Sequence, residues 1–239
     1  MKTASSSLTM EAILVAAGSS RRMGFDKLSA SLYGRSVLEN SLRAFAATSE
    51  VSRILLVCAD PEAAHVIEAV SGIDKPCRVL CGGKERADSV RNGLAAVSGN
   101  CAYVAIHDAA RPLIRPEQIR DAFLLAQESG ACTLAEPCAD TLHRAAEDGL
   151  LRSTLDRKNV WRIQTPQIFQ RDLLLESLRL AEQKGVALTD EASAVIAAGH
   201  GVAVLPSATP NFKITLPQDI ELARAILERR LQSSQQAQQ

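Results

Sequence analysis

The first apolar stretch of the sequence ends in small residues, and three cations follow them. Residues 16–24 read AAGSSRRMG, and Lys27 follows closely. Small side chains at a strand end allow backbone amides to approach a phosphate, and the two arginines and the lysine supply compensating charge. The spacing differs from the dinucleotide fingerprint, because residue 20 is serine, and from the Walker loop, because Gly24 is not followed by lysine. A plain turn with solvated cations is the alternative, but the density of charge favours a cradle for a triphosphate.

A second apolar stretch, residues 103–108, ends with an imidazole and then a carboxylate. Asp108 follows His107 at the end of this predicted strand. A carboxylate there faces the same crevice as the basic loop and is well placed to hold a Mg²⁺ ion that bridges phosphates. An Asp after a strand is often only a turn former, so the argument for Asp108 is its location. For His107 we favour a structural hydrogen bond over a role as general base.

The elements that must position these residues follow from the apolar pattern. Short apolar runs without strict alternation predict strands buried on both faces. Helical patterns lie between them, so we expect a Rossmann-like α/β fold with a mainly parallel sheet, helices on both faces and ligands at the carboxyl ends of the strands. The predicted strands are 12–17, 53–59, 78–81, 103–108, 132–137 and 202–205, and the predicted helices are 37–46, 61–70, 86–97, 116–128, 171–184, 190–198 and 217–231.

The alternation of predicted strands and helices is interrupted over residues 138–164, which are polar and charged around a turn at 147–149. Short alternations on both sides of that turn predict a protruding, hairpin-like arm at about 138–163, a functional excursion from the sheet. The chain otherwise reads as one domain at 11–231. We expect a flexible extension at 1–10 and a disordered, glutamine-rich tail at 232–239.

Composition restricts the class of protein. The 239 residues are 46% hydrophobic, and 27 Lys and Arg balance 27 Asp and Glu, so no global field would hold the protein on nucleic acid or a membrane. No apolar run approaches the roughly 20 residues that span a bilayer, and residues 1–10 lack the apolar stretch of a signal peptide. We therefore expect a cytoplasmic protein. The six cysteines form no CxxC pair, and Cys77 and Cys81 are expected to be small buried hydrophobes.

Several motifs in a fixed order carry a family resemblance over residues 11–230. The sequence resembles the 2-C-methyl-D-erythritol 4-phosphate cytidylyltransferases. The first motif is shared with other nucleotidyltransferases, whereas HDAARP, QTPQ and TDEAS in this order are specific. The motifs are AAGSSRRMG with Lys27, GGKERADSV (82–90), HDAARP (107–112), ADT (139–141), LDRKNVW (155–161), QTPQIF (164–169), TDEAS (189–193) and NFKIT (211–215).

The resemblance implies an activity and a set of site residues. The reaction is CTP plus methylerythritol phosphate giving 4-diphosphocytidyl-2-C-methyl-D-erythritol and pyrophosphate, in a homodimer whose arms reach across to the partner's active site. By the family match, Ala16, Ala17, Gly18 and Ser19 hold CTP, Gly83 and Ser89 recognise cytosine, Ala109 lines the nucleotide pocket, and Asp108 coordinates Mg²⁺. Arg22 and Lys27 match the transition-state stabilisers, and Arg111, Thr141, Arg157, Thr165 and Lys213 match the methylerythritol phosphate side, with Thr141 and Arg157 donated across the dimer.

Two positions depart from the pattern of the family. Ser20 stands where many relatives have a second glycine in the phosphate loop, and His143 stands where lysine is common. Three other motif residues have simpler interpretations. Thr189 or Asp190 is expected to N-cap the following helix, and Arg86 is either a solvated partner of Asp88 or a nucleotide contact.

The chemistry of the residues agrees with this function. A phosphate monoester is already ionised at pH 7, so its attack needs alignment and charge neutralisation more than a general base. Only 3% of the residues are aromatic, which favours amide and hydroxyl recognition of the base over stacking. Three alternatives remain: a ribitol 5-phosphate cytidylyltransferase, a molybdenum-cofactor guanylyltransferase, and a non-catalytic nucleotide-binding regulator.

Overall fold

The strands of the protein form one large sheet and two short hairpins. The computed structural model describes residues 8–18 and 24–236. Within those residues the strands are β1 (Met10–Ala16), β2 (Ser31–Leu32), β3 (Arg35–Ser36), β4 (Val51–Cys58), β5 (Cys77–Cys81), β6 (Tyr103–Asp108), β7 (Ala131–Pro137), β8 (Leu142–Ala145), β9 (Leu151–Leu155), β10 (Trp161–Gln170) and β11 (Ala203–Pro206). The helices are α1 (Val37–Ala46), α2 (Ala64–Ser71), α3 (Arg86–Ala95), α4 (Pro116–Ser129), α5 (Arg171–Gln183), α6 (Glu191–Ala197) and α7 (Pro217–Gln236).

The large sheet has seven strands in the order β11-β7-β10-β6-β1-β4-β5. The pairs β1–β4, β1–β6, β4–β5 and β7–β11 are parallel, whereas β10 runs antiparallel to both of its neighbours. The prediction of a mainly parallel sheet is therefore confirmed. The parallel strands β1 and β6 end side by side, with Val15 opposite Asp108, so the basic loop and the carboxylate lie at one edge of the sheet.

Helices cover both faces of this sheet. In β1, alternate residues point to opposite faces: Leu14 belongs to the apolar core beneath α1, α2, α4 and α7, and Ile13 to the core beneath α3, α5 and α6. Helix α3 approaches β1 closely at Gly93, where a Cβ would lie 2.6 Å from the Cγ2 of Ile13. Glycine is required at this crossing because any side chain would force the helix away from the sheet.

The strand β10 was not predicted, because polar residues interrupt its apolar pattern. Gln167 is completely buried in it, and both the nitrogen and the oxygen of its side-chain amide are hydrogen-bonded within the protein. Its Nε2 donates to Oδ2 of Asp190 at 2.7 Å, and its Oε1 accepts from the backbone N–H of Ala192 at 3.0 Å. A buried amide with partners of this kind carries no large desolvation penalty, so a search for apolar runs misses such a strand.

The predicted arm is a hairpin formed by β8 and β9. Leu142 pairs with Leu155, and His143 pairs with Thr154, whose Oγ1 lies 3.2 Å from Nδ1 of His143. Leu150 and Leu151 at its turn are 57% and 65% exposed. The arm thus presents apolar side chains away from the core of its own chain.

Three further expectations need correction. Helix α2 begins at Ala64 rather than 61, because the carboxylate of Asp60 accepts from the N–H of Glu62 and holds a turn there. Helix α7 continues past the predicted end at residue 231 to Gln236, and residues 237–239 lie outside the description. Cys81 is exposed rather than buried. Among the described helices, none has the length and apolar character to cross a bilayer.

Candidate active site

Asp108 lies at the centre of the site, at the end of β6. Its carboxylate is only 10% exposed and is surrounded by three cations. Nζ of Lys213 lies 2.9 Å from Oδ2, Nε of Arg86 lies 3.1 Å from Oδ1, and Nε of Arg111 lies 3.7 Å from Oδ2. Burial alone would raise the pKa of Asp108, but these cations outweigh it and hold the pKa well below its usual range. The carboxylate is therefore ionised at neutral pH.

Arg86 joins this carboxylate to a second one. Its Nη1 and Nη2 donate to the two oxygens of Glu191 at 2.8 and 3.0 Å, while its Nε donates to Asp108. Burial lowers the pKa of Arg86, but the two carboxylates more than compensate, so the pKa is raised and the guanidinium stays charged. The alternative of a solvated pair with Asp88 is wrong, since Asp88 bonds instead to Nη1 of Arg91 at 2.9 Å.

The side chain of Thr165 holds the backbone of Asp108 by a hydrogen bond. Its Oγ1 accepts the backbone N–H of Asp108 at 3.0 Å and lies 3.1 Å from Nδ1 of His107. Nε2 of His107 lies 3.3 Å from the carbonyl of Arg111, which can only accept, so Nε2 carries the proton and Nδ1 accepts from the hydroxyl of Thr165. Complete burial lowers the pKa of His107 to about 3. The structural role that we favoured for His107 agrees with this neutral, fully bonded ring.

The segment 211–215 holds the cations of the site in place. The N–H of Ile214 donates to the carbonyl of Ala110 at 2.8 Å, and the carbonyl of Asn211 accepts from Nη1 of Arg111 at 3.0 Å. The carbonyl of Ile214 accepts from Nζ of Lys27 at 2.9 Å. This segment therefore brings Lys27 and Lys213 to the edge of the sheet where Asp108 lies.

The predicted base-binding loop packs directly against the end of β1. A Cβ on Gly82 would lie 2.4 Å from the Cβ of Ala17, so only glycine allows this approach. Ser89 is buried at the start of α3, where its Oγ accepts the N–H of Gly83 at 3.1 Å and donates to the carbonyl of Glu85 at 3.2 Å. These bonds shape a compact loop beside the phosphate loop.

The remaining predicted residues divide into three groups. Ala16 and Ala109 are buried where β1 and β6 end, and the N–H of Ala109 donates to the carbonyl of Val15 at 3.0 Å. Gly18 is exposed beside them. Thr141 and Arg157 are exposed in the arm, and Nη1 of Arg157 donates to the carbonyl of Ala139. The predicted residues Ser19 and Arg22, and the variant position Ser20, lie outside the described residues.

Among the described residues, Asp108 is the one carboxylate at this point for a metal cation, and the three protein cations around it mean that a metal there would have to be held mainly by a polyanionic substrate. The described part of the chain contains no group of three or more His, Cys, Asp or Glu side chains arranged to hold a metal. Asp108 nevertheless offers an ionised, hard oxygen donor at the edge where a triphosphate would lie. Mg²⁺ is commonly held by one or two carboxylates together with substrate phosphates and water, and this donor set suits that mode of binding.

The comparison of sequences decides the family. The sequence profile of the 2-C-methyl-D-erythritol 4-phosphate cytidylyltransferases matches residues 10–229. The chain belongs to this family. A cytidylyltransferase of that name from Pelotomaculum thermopropionicum is 39% identical over 225 residues, which cover 92% of this chain and 94% of the relative. The bifunctional enzyme IspD/IspF of an Anaeromyxobacter strain is 42% identical over 220 residues, and this chain spans 57% of its length.

Solved structures give the same answer for the fold. The 4-diphosphocytidyl-2C-methyl-D-erythritol synthase of Anaerococcus prevotii superposes with a TM-score of 0.82 at 26% identity, covering 92% of this chain and 99% of that one. The cytidylyltransferase of Thermus thermophilus superposes with a TM-score of 0.74 at 32% identity, with coverage of 92% and 98%. The Rossmann-like nucleotidyltransferase fold expected from the sequence is therefore confirmed.

Sequence reasoning missed Glu191, the second buried carboxylate, which Arg86 joins to Asp108. Glu191 lies in the TDEAS motif, where only the capping role of the preceding residues was anticipated. That role is present: Oδ1 of Asp190 accepts the N–H of Ser193 at 2.9 Å and caps α6. A buried Glu needs a charged partner, but the burial of Glu191 is a fact of the structure, so the sequence held no signal that leads to Arg86.

Proposed function

We propose that the chain transfers the cytidylyl group of CTP to 2-C-methyl-D-erythritol 4-phosphate and releases pyrophosphate, with Asp108 holding a divalent cation. Membership of the family supports the reaction. The observation that carries the role of Asp108 is its buried, ionised carboxylate within a ring of three cations beside the end of β1. Arg86, Arg111 and Lys213 outnumber the carboxylates of Asp108 and Glu191 by one charge, and this local positive excess suits a polyanionic substrate.

The residues of the site suit an in-line displacement. A phosphate oxygen of methylerythritol phosphate attacks the α-phosphorus of CTP, and the bond from that phosphorus to the bridging oxygen of the pyrophosphate breaks. Lys27 and Arg22 stabilise the negative charge that develops around the α-phosphate, and Lys213 and Arg111 bind the acceptor phosphate. A bound Mg²⁺ would neutralise charge on the triphosphate.

The nucleophile of this reaction needs no general base, because the attacking phosphate oxygen is already ionised. The neutral, internally bonded His107 is consistent with that requirement. The loop at Gly83, held in shape by Ser89, is where we place recognition of the cytosine base by hydrogen bonds, although the N–H of Gly83 itself donates to Ser89. Ala16, Ala17, Gly18, Ser19 and Ala109 complete the nucleotide pocket in this proposal.

A second copy of the chain completes the site in this proposal. The exposed leucines at the turn of the arm are available to pack against a partner subunit, and Arg157 and Thr141 lie on the same arm. An exposed arm of this kind supports a homodimer in which each arm reaches the acceptor phosphate of the other subunit. A cytoplasmic location stays a prediction.

The alternatives are less well supported. A ribitol 5-phosphate cytidylyltransferase would use the same phosphate chemistry, but the family match over residues 10–229 favours methylerythritol phosphate. The same match disfavours a molybdenum-cofactor guanylyltransferase. A non-catalytic regulator would have no need to bring Arg86, Lys213 and Arg111 around an ionised carboxylate.

The test of this function is release of pyrophosphate from CTP in the presence of methylerythritol phosphate. We expect turnover that stops after treatment with EDTA and returns when Mg²⁺ is added. Full activity in EDTA would contradict the role of the metal. The absence of any pyrophosphate release with added Mg²⁺ would contradict the function itself.

A further inference from the structure

The segment between β11 and α7 contains no helix or strand, so its path depends on individual contacts. Over the described residues 207–215, backbone–backbone hydrogen bonds attach it to the rest of the protein at two points. The N–H of Ser207 donates to the carbonyl of Ala135, and the N–H of Ile214 donates to the carbonyl of Ala110, both at 2.8 Å. The stretch between these two points is therefore held by contacts of side chains.

The side chain of Asn211 fastens the middle of this stretch to the large sheet. Asn211 is completely buried, and its Nδ2 donates to the carbonyl of Thr165 at 2.8 Å and to Oε1 of Gln164 at 3.1 Å. The orientation of the amide is settled by these partners, because a backbone carbonyl can only accept and Oδ1 could not face it. Both bonds lead to β10, the strand between β6 and β7.

The two residues that Asn211 binds are themselves firmly held. Gln164 and Thr165 are both buried. The carbonyl of Gln164 accepts from Oγ1 of Thr133 in β7 at 3.2 Å, and Oγ1 of Thr165 accepts the N–H of Asp108 in β6 at 3.0 Å. Asn211 is thus bonded to a part of the sheet that both neighbouring strands fix, and support of this kind is what a precise site needs.

The backbone of Asn211 in turn orients Arg111. Its carbonyl accepts from Nη1 of Arg111 at 3.0 Å, whereas Nε of Arg111 lies 3.7 Å from Oδ2 of Asp108, beyond hydrogen-bond distance. A guanidinium has its donors in one rigid plane, so a bond to one of its nitrogens influences where all of them point. The position of the Asn211 peptide therefore affects the direction in which Arg111 presents its remaining donors.

We propose that Asn211 is a positioning residue for the acceptor phosphate: its side-chain amide fixes the peptide whose carbonyl orients Arg111. This inference rests on the proposed binding of the acceptor phosphate by Arg111 and Lys213. Because its side chain is completely buried, Asn211 acts through Arg111 and not by contact with the substrate. It gives the first residue of the NFKIT motif a role that the family resemblance did not imply.

The experiment measures the KM for methylerythritol phosphate at saturating CTP, and the Kd for CTP alone by isothermal titration calorimetry. Asn211→Ala removes both bonds of Nδ2, so we expect the KM for methylerythritol phosphate to rise about tenfold. We expect a much smaller change in kcat, because the bond of Ile214 to Ala110 does not depend on Asn211 and keeps the contact of Lys27 in place. The Kd for CTP should stay at the wild-type value.

Gln118→Ala is the matched control, because Gln118 ties helix α4 to the same segment at a different place. Its Nε2 donates to Oγ of Ser207 at 3.1 Å, and its Oε1 accepts from Oγ1 of Thr209 at 3.2 Å. We expect a lower melting temperature and an unchanged KM for methylerythritol phosphate. The same pattern in Asn211→Ala would show a merely structural role and overturn the inference. An equal rise in KM in both variants would also overturn it, since any loosening of the segment would then suffice.

Arg111→Ala separates the inference from the proposed function. If this variant keeps the wild-type KM for methylerythritol phosphate, the acceptor phosphate is not bound at Arg111, and the inference falls with that assignment. If Arg111→Ala raises the KM but Asn211→Ala does not, the assignment stands and only the inference is overturned. In the Arg111→Ala background, Asn211→Ala should add little, because the group that it positions is gone. A full effect there would show that Asn211 acts by another route.

A second substitution keeps the test decisive if Asn211→Ala fails to fold. Asn211→Ser retains one donor on a shorter side chain and cannot make both bonds to β10. We expect a smaller rise in the KM for methylerythritol phosphate, about threefold, with the Kd for CTP unchanged. A wild-type KM in the folded serine variant would overturn the inference.

Discussion

Nζ of Lys27 donates a hydrogen bond to the carbonyl of Ile214 at 2.9 Å, across 187 positions of the sequence. This bond joins the loop after β1 to the segment that carries Lys213. The two lysines thus come from opposite ends of the chain to one edge of the sheet. Their alignment depends on the packing of the C-terminal segment as much as on the phosphate loop.

Replacing Lys27 with alanine should lower kcat by about a hundredfold or more, because the charge that it places on the α-phosphate is needed mainly in the transition state. We expect the same direction for Arg22→Ala. Steady-state kinetics with folded protein would measure the effect. Lys75→Ala is the matched control, since Nζ of Lys75 also donates to a backbone carbonyl, that of Thr48, but away from the site. A kcat near the wild-type value for Lys27→Ala would mean that this lysine is only a solvated cation.

The hydroxyl of Thr165 should matter for stability as well as activity. Thr165→Val removes the acceptor of the Asp108 N–H and leaves that donor buried, so we expect a loss of about 1–3 kcal/mol in the free energy of unfolding. Thr165→Ser keeps the hydroxyl and should lose less. Urea denaturation would measure both variants. Equal stability of the valine variant and the wild type would show that the bond contributes nothing to folding.

The buried His107 predicts a pH dependence of stability. Its pKa in the folded protein is lowered to about 3, below the ordinary value of 6.5. Between these values the unfolded chain binds a proton that the folded protein does not, so the free energy of unfolding should fall as the pH is lowered from about 6.5 towards 3. The contribution of one such group is at most about 1.4 kcal/mol per pH unit.

Denaturation at several pH values would test this dependence. We expect His107→Gln to have a shallower slope of stability against pH than the wild type, even if it is less stable overall. His200→Gln, which changes an exposed histidine, is the control and should keep the wild-type slope. An unchanged slope in His107→Gln would contradict a neutral His107 in the folded protein.

Much of this fold could be predicted from the sequence, since the buried parallel strands are local apolar runs and the helices between them have local patterns. The strand β10 could not, because Gln167 is buried and paired with residues more than twenty positions away. The site shows the same limit. Asp108 and Lys27 follow from motifs, but the pairing of Arg86 with Glu191 joins residues 105 positions apart, and no local spacing encodes such a contact.

The arm predicts complementation between subunits. Lys27→Ala and Arg157→Ala should each be nearly inactive, but a heterodimer of the two has one site with Lys27 from its own chain and Arg157 from the partner. Co-expression with two different tags, followed by tandem purification, would isolate that heterodimer, and activity well above either parent is expected. Arg152→Ala is the control within the same arm and should stay active alone. No recovered activity in verified heterodimers would mean that Arg157 does not act across subunits.

The most direct test of the account is the ratio of kcat/KM values in a matrix of four nucleoside triphosphates against several polyol phosphates, with the product identified by mass spectrometry. The account predicts that CTP with 2-C-methyl-D-erythritol 4-phosphate gives the highest kcat/KM and yields 4-diphosphocytidyl-2-C-methyl-D-erythritol together with an equal amount of pyrophosphate. A higher kcat/KM with ribitol 5-phosphate, or with a triphosphate other than CTP, would contradict it.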